Sequence, residues 1–278
     1  MSEAQDIKNF NRNHPHPDVA GVKSLFRFSR IDENHIEYLS DLFVDGKLYH
    51  SMPENFNDPF ECKPFFNLPK SPSKVKAIRK HLINVAMRSG HTRKSAESLI
   101  SGSMRKRGFI RETIYNSINK NLSKVRISSF TIKKENLLFW SHYADSHKGF
   151  CVEYDASVLP ISYAFKVQYK DEYPEATYPP PSNELGFIPI LIKSKAWEYE
   201  EEYRIIFIPE AKSLPKNDGT SLLLDGSEIK NIFLGANMSD DHKKTIVKMI
   251  ATGPFRPGIW DVDLSKSSFK LKFNKHKK

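Results

Sequence analysis

The sequence predicts an α+β fold in which a central, mostly antiparallel β-sheet is flanked by helices and interrupted by a basic helical insertion. Three observations carry this expectation. Short runs of β-branched and aromatic residues, bounded by turn formers, recur from Ser24 to Phe273. Apolar residues at helical spacing concentrate in residues 71–123. The 278 residues, 39% hydrophobic and 12% aromatic, are enough to bury a substantial core.

Residues 1–20 contain His14-Pro15-His16-Pro17 and little that could pack, so they read as a flexible N-terminal arm without a metal site. Ser24 to Phe28 is a first strand, with Arg27 embedded between Phe26 and Phe28. A cation inside so short an apolar run needs a partner. Asp32 caps a helix carrying Ile36, Leu39, Leu42 and Phe43, and Gly46 ends it. Lys47 to Met52, with Tyr49 and Ser51, returns as a strand. Pro53 to Glu61 is a turn by composition. Asn57 and Asp58 close a side-chain-to-backbone turn before Pro59, and Phe56 and Phe60 would hold this loop rigidly over a cleft.

In the insertion, Ser71 and Pro72 open a helix whose stripe is Val75, Ile78, Leu82 and Val85, ended by Gly90. Thr92 to Ile100 and Phe109 to Leu122 repeat the pattern, and Val125 to Thr131 brings the chain back as a strand. Leu137 to Ala144 is the most aromatic short stretch, where His142 reads as a buried, hydrogen-bonded histidine. Its five-residue spacing from His147 is poor for a metal. Phe150 to Tyr154 and Ile161 to Tyr169 read as strands, the proline-rich Tyr173 to Ser182 as a loop, and Leu185 to Ser194 fits helix or strand. Leu222 to Leu224 and Ile229 to Leu234 make a strand pair across Asp225-Gly226. Ser239 caps a helix reaching Ile250, and Ser267 to Phe273 is an edge strand. Residues 21–265 are thus a single domain with an insertion at about 71–123, and residues 266–278 a basic tail.

The net charge of +10 is unevenly placed. Residues 70–134 hold 17 Lys or Arg against Glu97 and Glu112, the last thirteen residues hold six lysines and no acid, and the remainder is acidic. Such asymmetry suits a polyanion, nucleic acid above all, with Arg105, Lys106 and Arg107 as candidate contacts; a solvated charged face is the bland alternative. No stretch approaches the roughly 20 apolar residues that span a bilayer, and the polar N-terminus has no signal core, so no membrane partner and a cytoplasmic location are expected. Cys62 and Cys151 sit beside apolar residues as core thiols.

The acidic edge Trp197-Glu198-Tyr199-Glu200-Glu201-Glu202-Tyr203-Arg204 runs into the buried strand Tyr203 to Ile208, closed by Pro209. If the strand begins this early, alternation puts Glu200 and Glu202 on one face, able to share a cleft, and Glu201 on the other. The alternative is a solvated edge of glutamates paired with lysines.

Four features in order, Leu25-Phe26-Arg27-Phe28, Phe56-Asn57-Asp58-Pro59-Phe60-Glu61, Trp140-Ser141-His142-Tyr143-Ala144 with His147-Lys148-Gly149-Phe150, and Trp197, Tyr199, Glu200, Glu202 and Arg204, resemble a bacterial family known as domain of unknown function 2971. A weaker resemblance is to ADP-ribosyltransferases, whose split β-sheet carries an early Arg or His, a middle polar or aromatic residue and a late Glu-x-Glu. Arg27, the Tyr49-His50-Ser51 strand and Glu200-x-Glu202 fall in that order. The resemblance implies NAD as co-substrate and no metal. It implies Glu202, Glu200, Arg27 and His142 as catalytic residues and Arg27, Tyr49, Ser51, Asn57, Asp58 and Tyr143 around NAD. A carboxylate stabilises the charge that builds on ribose as the nicotinamide bond breaks, and arginine holds phosphate. A nucleic acid or protein would be modified, an activity suited to a toxin or antiphage effector with a neutralising partner. Glu202 could instead pair with Arg27 or Arg204 as a structural group. Two other readings stand beside it: a nuclease holding magnesium on Asp58, Glu61 and Glu153, and a catalytically silent nucleic-acid-binding module.

Overall fold

The computed structural model describes residues 3–31, 36–63, 65–66, 71–175, 178–179, 188–211 and 215–277. Its helices are α1 (Glu3–Asn13), α2 (Ile36–Phe43), α3 (Pro72–Arg88), α4 (Arg93–Ser103), α5 (Phe109–Leu122), α6 (Leu137–His142) and α7 (Asp240–Thr252). The strands are β1 (Ser24–Ser29), β2 (Lys47–Tyr49), β3 (Arg126–Thr131), β4 (Phe150–Asp155), β5 (Phe165–Lys166), β6 (Gln168–Lys170), β7 (Ile192–Ser194), β8 (Glu202–Phe207), β9 (Ser221–Leu223), β10 (Ile229–Leu234), β11 (Gly258–Leu264) and β12 (Leu271–Lys275).

The main sheet runs β12-β11-β10-β4-β1-β3-β8-β5, and only the β10–β11 pair is parallel. This is the mixed α+β architecture with a mostly antiparallel sheet that the strand pattern predicts. Small sheets β2-β9 and β6-β7 lie beside it. The centre of the main sheet is loosely joined. β1 pairs with β4 over six positions, from Ser24↔Asp155 to Ser29↔Phe150, but meets β3 at the single pair Phe26↔Thr131. The sheet therefore opens between β1 and β3.

Strand alternation divides the core into two faces. Leu25, Phe130, Phe150, Val152, Tyr154, Tyr203, Ile205 and Phe207 point to one side, where Leu39 and Phe43 of α2 and Ile246 and Ile250 of α7 cover them. Phe26, Cys151 and Phe233 point to the other, against Trp140 and Ala144. The insertion has its own core of Ile78, Leu82, Ile83, Ala86, Ala96 and Ile100. Ser71 caps α3 by accepting from Lys74 N, as its position before Pro72 predicts. The apolar stripe is shifted, however: Val85 is exposed and Ile83 and Ala86 are buried in its stead.

Several elements differ from the sequence expectation. The arm is a helix anchored to the body: Phe10 is buried against Phe165, and His14 and His16 pair through Nδ1 with the carbonyls of Lys166 and Ala164. The Asp32 cap lies outside the described residues. Strand β2 stops at Tyr49, and Ser51 makes only an isolated bridge to Ile127. Ile161 to Tyr169 is a 3-10 turn followed by two short strands, because Val167 N turns to the Glu202 carbonyl. The expected pairing of Leu222–Leu224 with Ile229–Leu234 does not form. β9 joins β2, while β10 lies between β4 and β11. The basic tail is partly structured, since β12 pairs with β11 from Trp260↔Lys275 to Leu264↔Leu271. The alternation of Trp260, Val262 and Leu264 with Asp261 and Asp263 is the period-2 signal for β11.

The anchoring of α1 is testable. Phe10→Ala should cost about 3 kcal/mol, the range of buried phenylalanine truncations. A thermal midpoint unchanged from wild type would show that the helix contributes nothing to the domain.

Candidate functional site

The chain brings its acidic edge, the Phe56–Glu61 loop and the aromatic helix α6 to one place. Residues 195–200 form a 3-10 turn, and Glu201 adopts a left-handed conformation with φ 44° before β8 begins at Glu202. The strand alternation expected for Glu200 and Glu202 therefore fails at the turn, yet both carboxylates still converge. Lys193 Nζ on β7 donates to Glu200 Oε2 at 2.5 Å and to Glu202 Oε2 at 3.2 Å, and lies 3.0 Å from Glu61 Oε1. Glu201 points away to Lys133.

Arg204 completes the cluster. Its Nε donates to Glu202 Oε1 at 2.6 Å, and its NH2 group to Glu202 Oε2 at 2.9 Å and Glu61 Oε2 at 2.5 Å. Its NH1 group donates to the Ile190 carbonyl at 2.6 Å, so every guanidinium nitrogen is engaged. All five ionisable side chains are buried. Aromatic faces cover the cations: Phe56 lies 5.2 Å from the Arg204 guanidinium and Trp197 4.8 Å from Lys193 Nζ. Trp197 in turn donates its indole N–H to Asp58 at 2.7 Å.

Glu202 and Glu200 differ. Burial alone would raise Glu202, but Arg204 and Lys193 outweigh it and hold the carboxyl down at about 2. Glu200 has no arginine. Burial raises its pKa and the charge on Glu202 adds to this, against the opposing pull of Lys193. The Tyr143 hydroxyl donates to Glu200 Oε1 at 2.6 Å and is itself kept protonated by burial and by this carboxylate. Glu200 thus holds its proton more firmly than Glu202 does.

Beside the cluster, the opening between β1 and β3 holds a cavity of about 220 Å³. Phe26, Phe28, Phe56 and Phe139 give it aromatic walls, and Ser51, Asn57, Tyr143 and the cluster give it polar ones. A second chamber of about 670 Å³, bounded by Asp58, Tyr173 and Trp197, shares Asn57 and Lys193 with it.

Of the residues predicted from sequence, Glu200, Glu202, Ser51, Asn57 and Tyr143 meet at the inner cavity, with Asp58 in the outer chamber. His142 does not: it is exposed at the end of α6 and lines neither chamber, because Trp140 and Phe139 take the buried positions of that short helix. Arg27 edges the inner cavity, but its side chain belongs to the opposite face of the sheet. The register aligns Phe26, Thr131 and Glu202 on one face, and Arg27 alternates to the other. There its NH1 group donates to the Tyr49 carbonyl at 2.8 Å and Ser128 Oγ at 2.7 Å. Tyr49 lines that side too. Arg105, Lys106 and Arg107 are exposed in the turn between α4 and α5. Leu122 at the other end of α5 packs, as Phe56 does, against the buried group of Cys62, Val125, Ile127 and Ile190, which puts the basic turn about 20 Å away along the helix.

Lys193 is the residue that sequence reasoning missed. Its signal was the one read at Arg27: a cation in an apolar run, here Ile188 to Ile192. Asp58, Glu61 and Glu153 do not assemble. Glu153 is held by Ser24 and Asn231, and no group of three or more metal-ligating side chains occurs among the described residues.

Residues 139–205 match a family model described as "Protein of unknown function (DUF2971)". The matched segment runs from α6 to β8, so it contains Tyr143, Lys193, Glu200, Glu202 and Arg204 but not Glu61. No curated protein and no solved structure matches the chain.

Two outcomes test the cluster. Arg204→Met leaves the three buried carboxylates with Lys193 as their one cation in the cluster and should destabilise the protein by about 3–5 kcal/mol in chemical denaturation. Because the Glu202 carboxyl is depressed in the folded state, its contribution to stability is complete above its ordinary value near 4.5 and is lost as pH falls toward 2. The thermal midpoint of wild type should drop between pH 5 and 3. Glu202→Gln should be less stable at pH 7 and show a shallower drop; an equal slope would mean that Glu202 is not the depressed group.

Proposed function

We propose that the protein is an NAD-consuming enzyme of the ADP-ribosyltransferase-like type, acting at the cavity between β1 and β3, with Glu200 as its working carboxylate. The observation that carries this reading is the contrast within the cluster. Glu202 has both oxygens engaged by Arg204 and Lys193, whereas Glu200 is held by Lys193 and by Tyr143, which itself lines the cavity. The role expected for Glu202 therefore passes to Glu200.

In this reading the aromatic walls take the nicotinamide ring, and Asn57 and Ser51 supply polar contacts to the ribose. The C1′–N bond breaks with its electron pair passing to the nicotinamide ring, which loses its positive charge. The Glu200 carboxylate stabilises the positive charge that develops on the ribose. The acceptor's hydroxyl or amine then bonds to C1′ and gives its proton to Glu200, whose raised pKa suits that role. An acceptor of the polyanion class fits the exposed Arg105, Lys106 and Arg107. The reading of a silent binding module draws on one observation, the full engagement of Glu61 and Glu202 in ion pairs.

Nicotinamide release from NAD, followed by mass spectrometry with and without added DNA and RNA, separates them. Wild type should release nicotinamide, Glu200→Gln should lose at least 100-fold while keeping its thermal midpoint within a few degrees, and Tyr143→Phe should lose less. No release by wild type under any condition would leave the binding module. Charge reversal at Arg105, Lys106 and Arg107 should weaken nucleic-acid binding and reduce the slope of log affinity against log salt by roughly 2–3, as expected for the loss of three phosphate contacts. An unchanged slope would remove the basic turn from recognition.

A further inference from the structure

The face of the sheet opposite the carboxylates carries a second cavity, of about 350 Å³, under α2 and β2. Its described lining contains Arg27, Arg30 and Lys47 and four tyrosines, Tyr38, Tyr49, Tyr143 and Tyr154, and no carboxylate. Lys47 is neutralised by Asp41 and Asp45. Arg27 and Arg30 have no acidic partner among the described residues.

Arg27 is the informative group. Only its NH1 nitrogen is engaged, with one carbonyl and one hydroxyl, and neither is charged. A guanidinium so placed, half-buried and bonded to neutral acceptors, has no counter-charge among the described residues. Its field reaches the neighbouring His50: burial first, then the charge on Arg27, lowers that imidazole to about 3 and keeps it neutral. Next to Arg27 the Tyr154 ring is fully buried, and its hydroxyl has no hydrogen-bond partner. Burial raises the Tyr154 pKa, so the hydroxyl stays protonated and can donate. A buried hydroxyl donor without an acceptor and a half-buried guanidinium without a counter-charge, in one cavity, point to an anion site. At the rim, Tyr38 and Tyr49 meet edge to face at 5.7 Å and are partly exposed, offering a stacking surface beside the charge.

We propose that this cavity binds a nucleoside monophosphate, its phosphate on Arg27 and the Tyr154 hydroxyl with Arg30 at the mouth, and its base against Tyr38 and Tyr49. Planar guanidinium and phosphate match bidentately, and a phosphate supplies the counter-charge that Arg27 lacks and the acceptor that the Tyr154 hydroxyl lacks. The site lies across the sheet from Glu200 and does not depend on bond cleavage there.

Isothermal titration calorimetry of the full-length protein with AMP, GMP, CMP and UMP, and with inorganic phosphate alone, tests it. At least one nucleotide should bind saturably with a Kd below 1 mM, about the range of small-molecule sites, and inorganic phosphate should bind at least 10-fold more weakly. Arg27→Gln should weaken the nucleotide at least 10-fold, and its thermal midpoint, measured alongside, shows how far the lost bonds to Ser128 and the Tyr49 carbonyl loosen the fold. Tyr154→Phe should weaken it several-fold. Should Arg27→Gln not fold, the exposed Arg30→Gln should still weaken binding several-fold. Absence of binding by every nucleotide, undiminished binding in the arginine variants, or inorganic phosphate binding as tightly as the nucleotide would each overturn the proposal.

Discussion

Arg204 is fully buried, and its guanidinium is divided among Glu61, Glu202 and the Ile190 carbonyl. Those partners come from the first residue of β8, from the turn before β7 and, far away in sequence, from the loop before the insertion. A buried arginine is tolerable only when its hydrogen bonds are all made, so folding around Arg204 fixes where these segments lie. Lys193 extends the same constraint to Glu200. With three carboxylates and two cations, the cluster carries one acid more than its cations can balance. Glu200, which has no arginine and whose ionisation burial opposes, is where that surplus falls. The asymmetry between stability and chemistry within the site follows from this count.

The sheet that carries the cluster is strong at its flanks and weak at its centre. β4 holds β1 and β10 in long antiparallel ladders, and β3 and β8 pair over six positions. Between these two blocks only Phe26↔Thr131 connects them. The gap is filled from one side by aromatic rings and the carboxylates, and from the other by Arg27 reaching Ser128 on β3 and the Tyr49 carbonyl. Arg27 thus bridges the two blocks by its side chain where the backbone ladder stops. That position explains why a cation sits in the middle of the Leu25-Phe26-Arg27-Phe28 run.

Much of this was legible in the sequence wherever local chemistry decides. The buried strands Arg126–Thr131, Phe150–Asp155 and Ile229–Leu234 and the capped helices α3 and α7 follow from apolar runs, Ser71 and Ser239. The acidic edge and the Phe56–Glu61 loop stood out as dense polar groups flanked by aromatic residues. Partners set by long-range packing were not legible. The hairpin expected between Leu222–Leu224 and Ile229–Leu234 is locally sound, but β9 finds β2 and β10 finds β4, because the pairing with the larger buried face wins. His142 looked buried by its neighbours, yet a helix of six residues has one buried face, and Phe139 and Trp140 occupy it.

The same distinction governs the three-point pattern of Arg27, the Tyr49–Ser51 segment and Glu200-x-Glu202. Order along the chain is a weak constraint on space, since a strand residue's face depends on the parity of its position and on the registers that link it to its neighbours. Phe26, Thr131 and Glu202 are in register across β1, β3 and β8, so the residue of β1 that shares a face with Glu202 is Phe26, and Arg27 must turn away. A one-residue difference in register would have joined Arg27 to the carboxylates and neutralised both. Because the register is as it is, the acids share Lys193 and Arg204 alone, and Arg27 is left without an acid on the far side. The carboxylates therefore line one cavity and not the other for one reason, the pairing of Phe26 with Thr131, and Tyr143, which lines both, is where they adjoin.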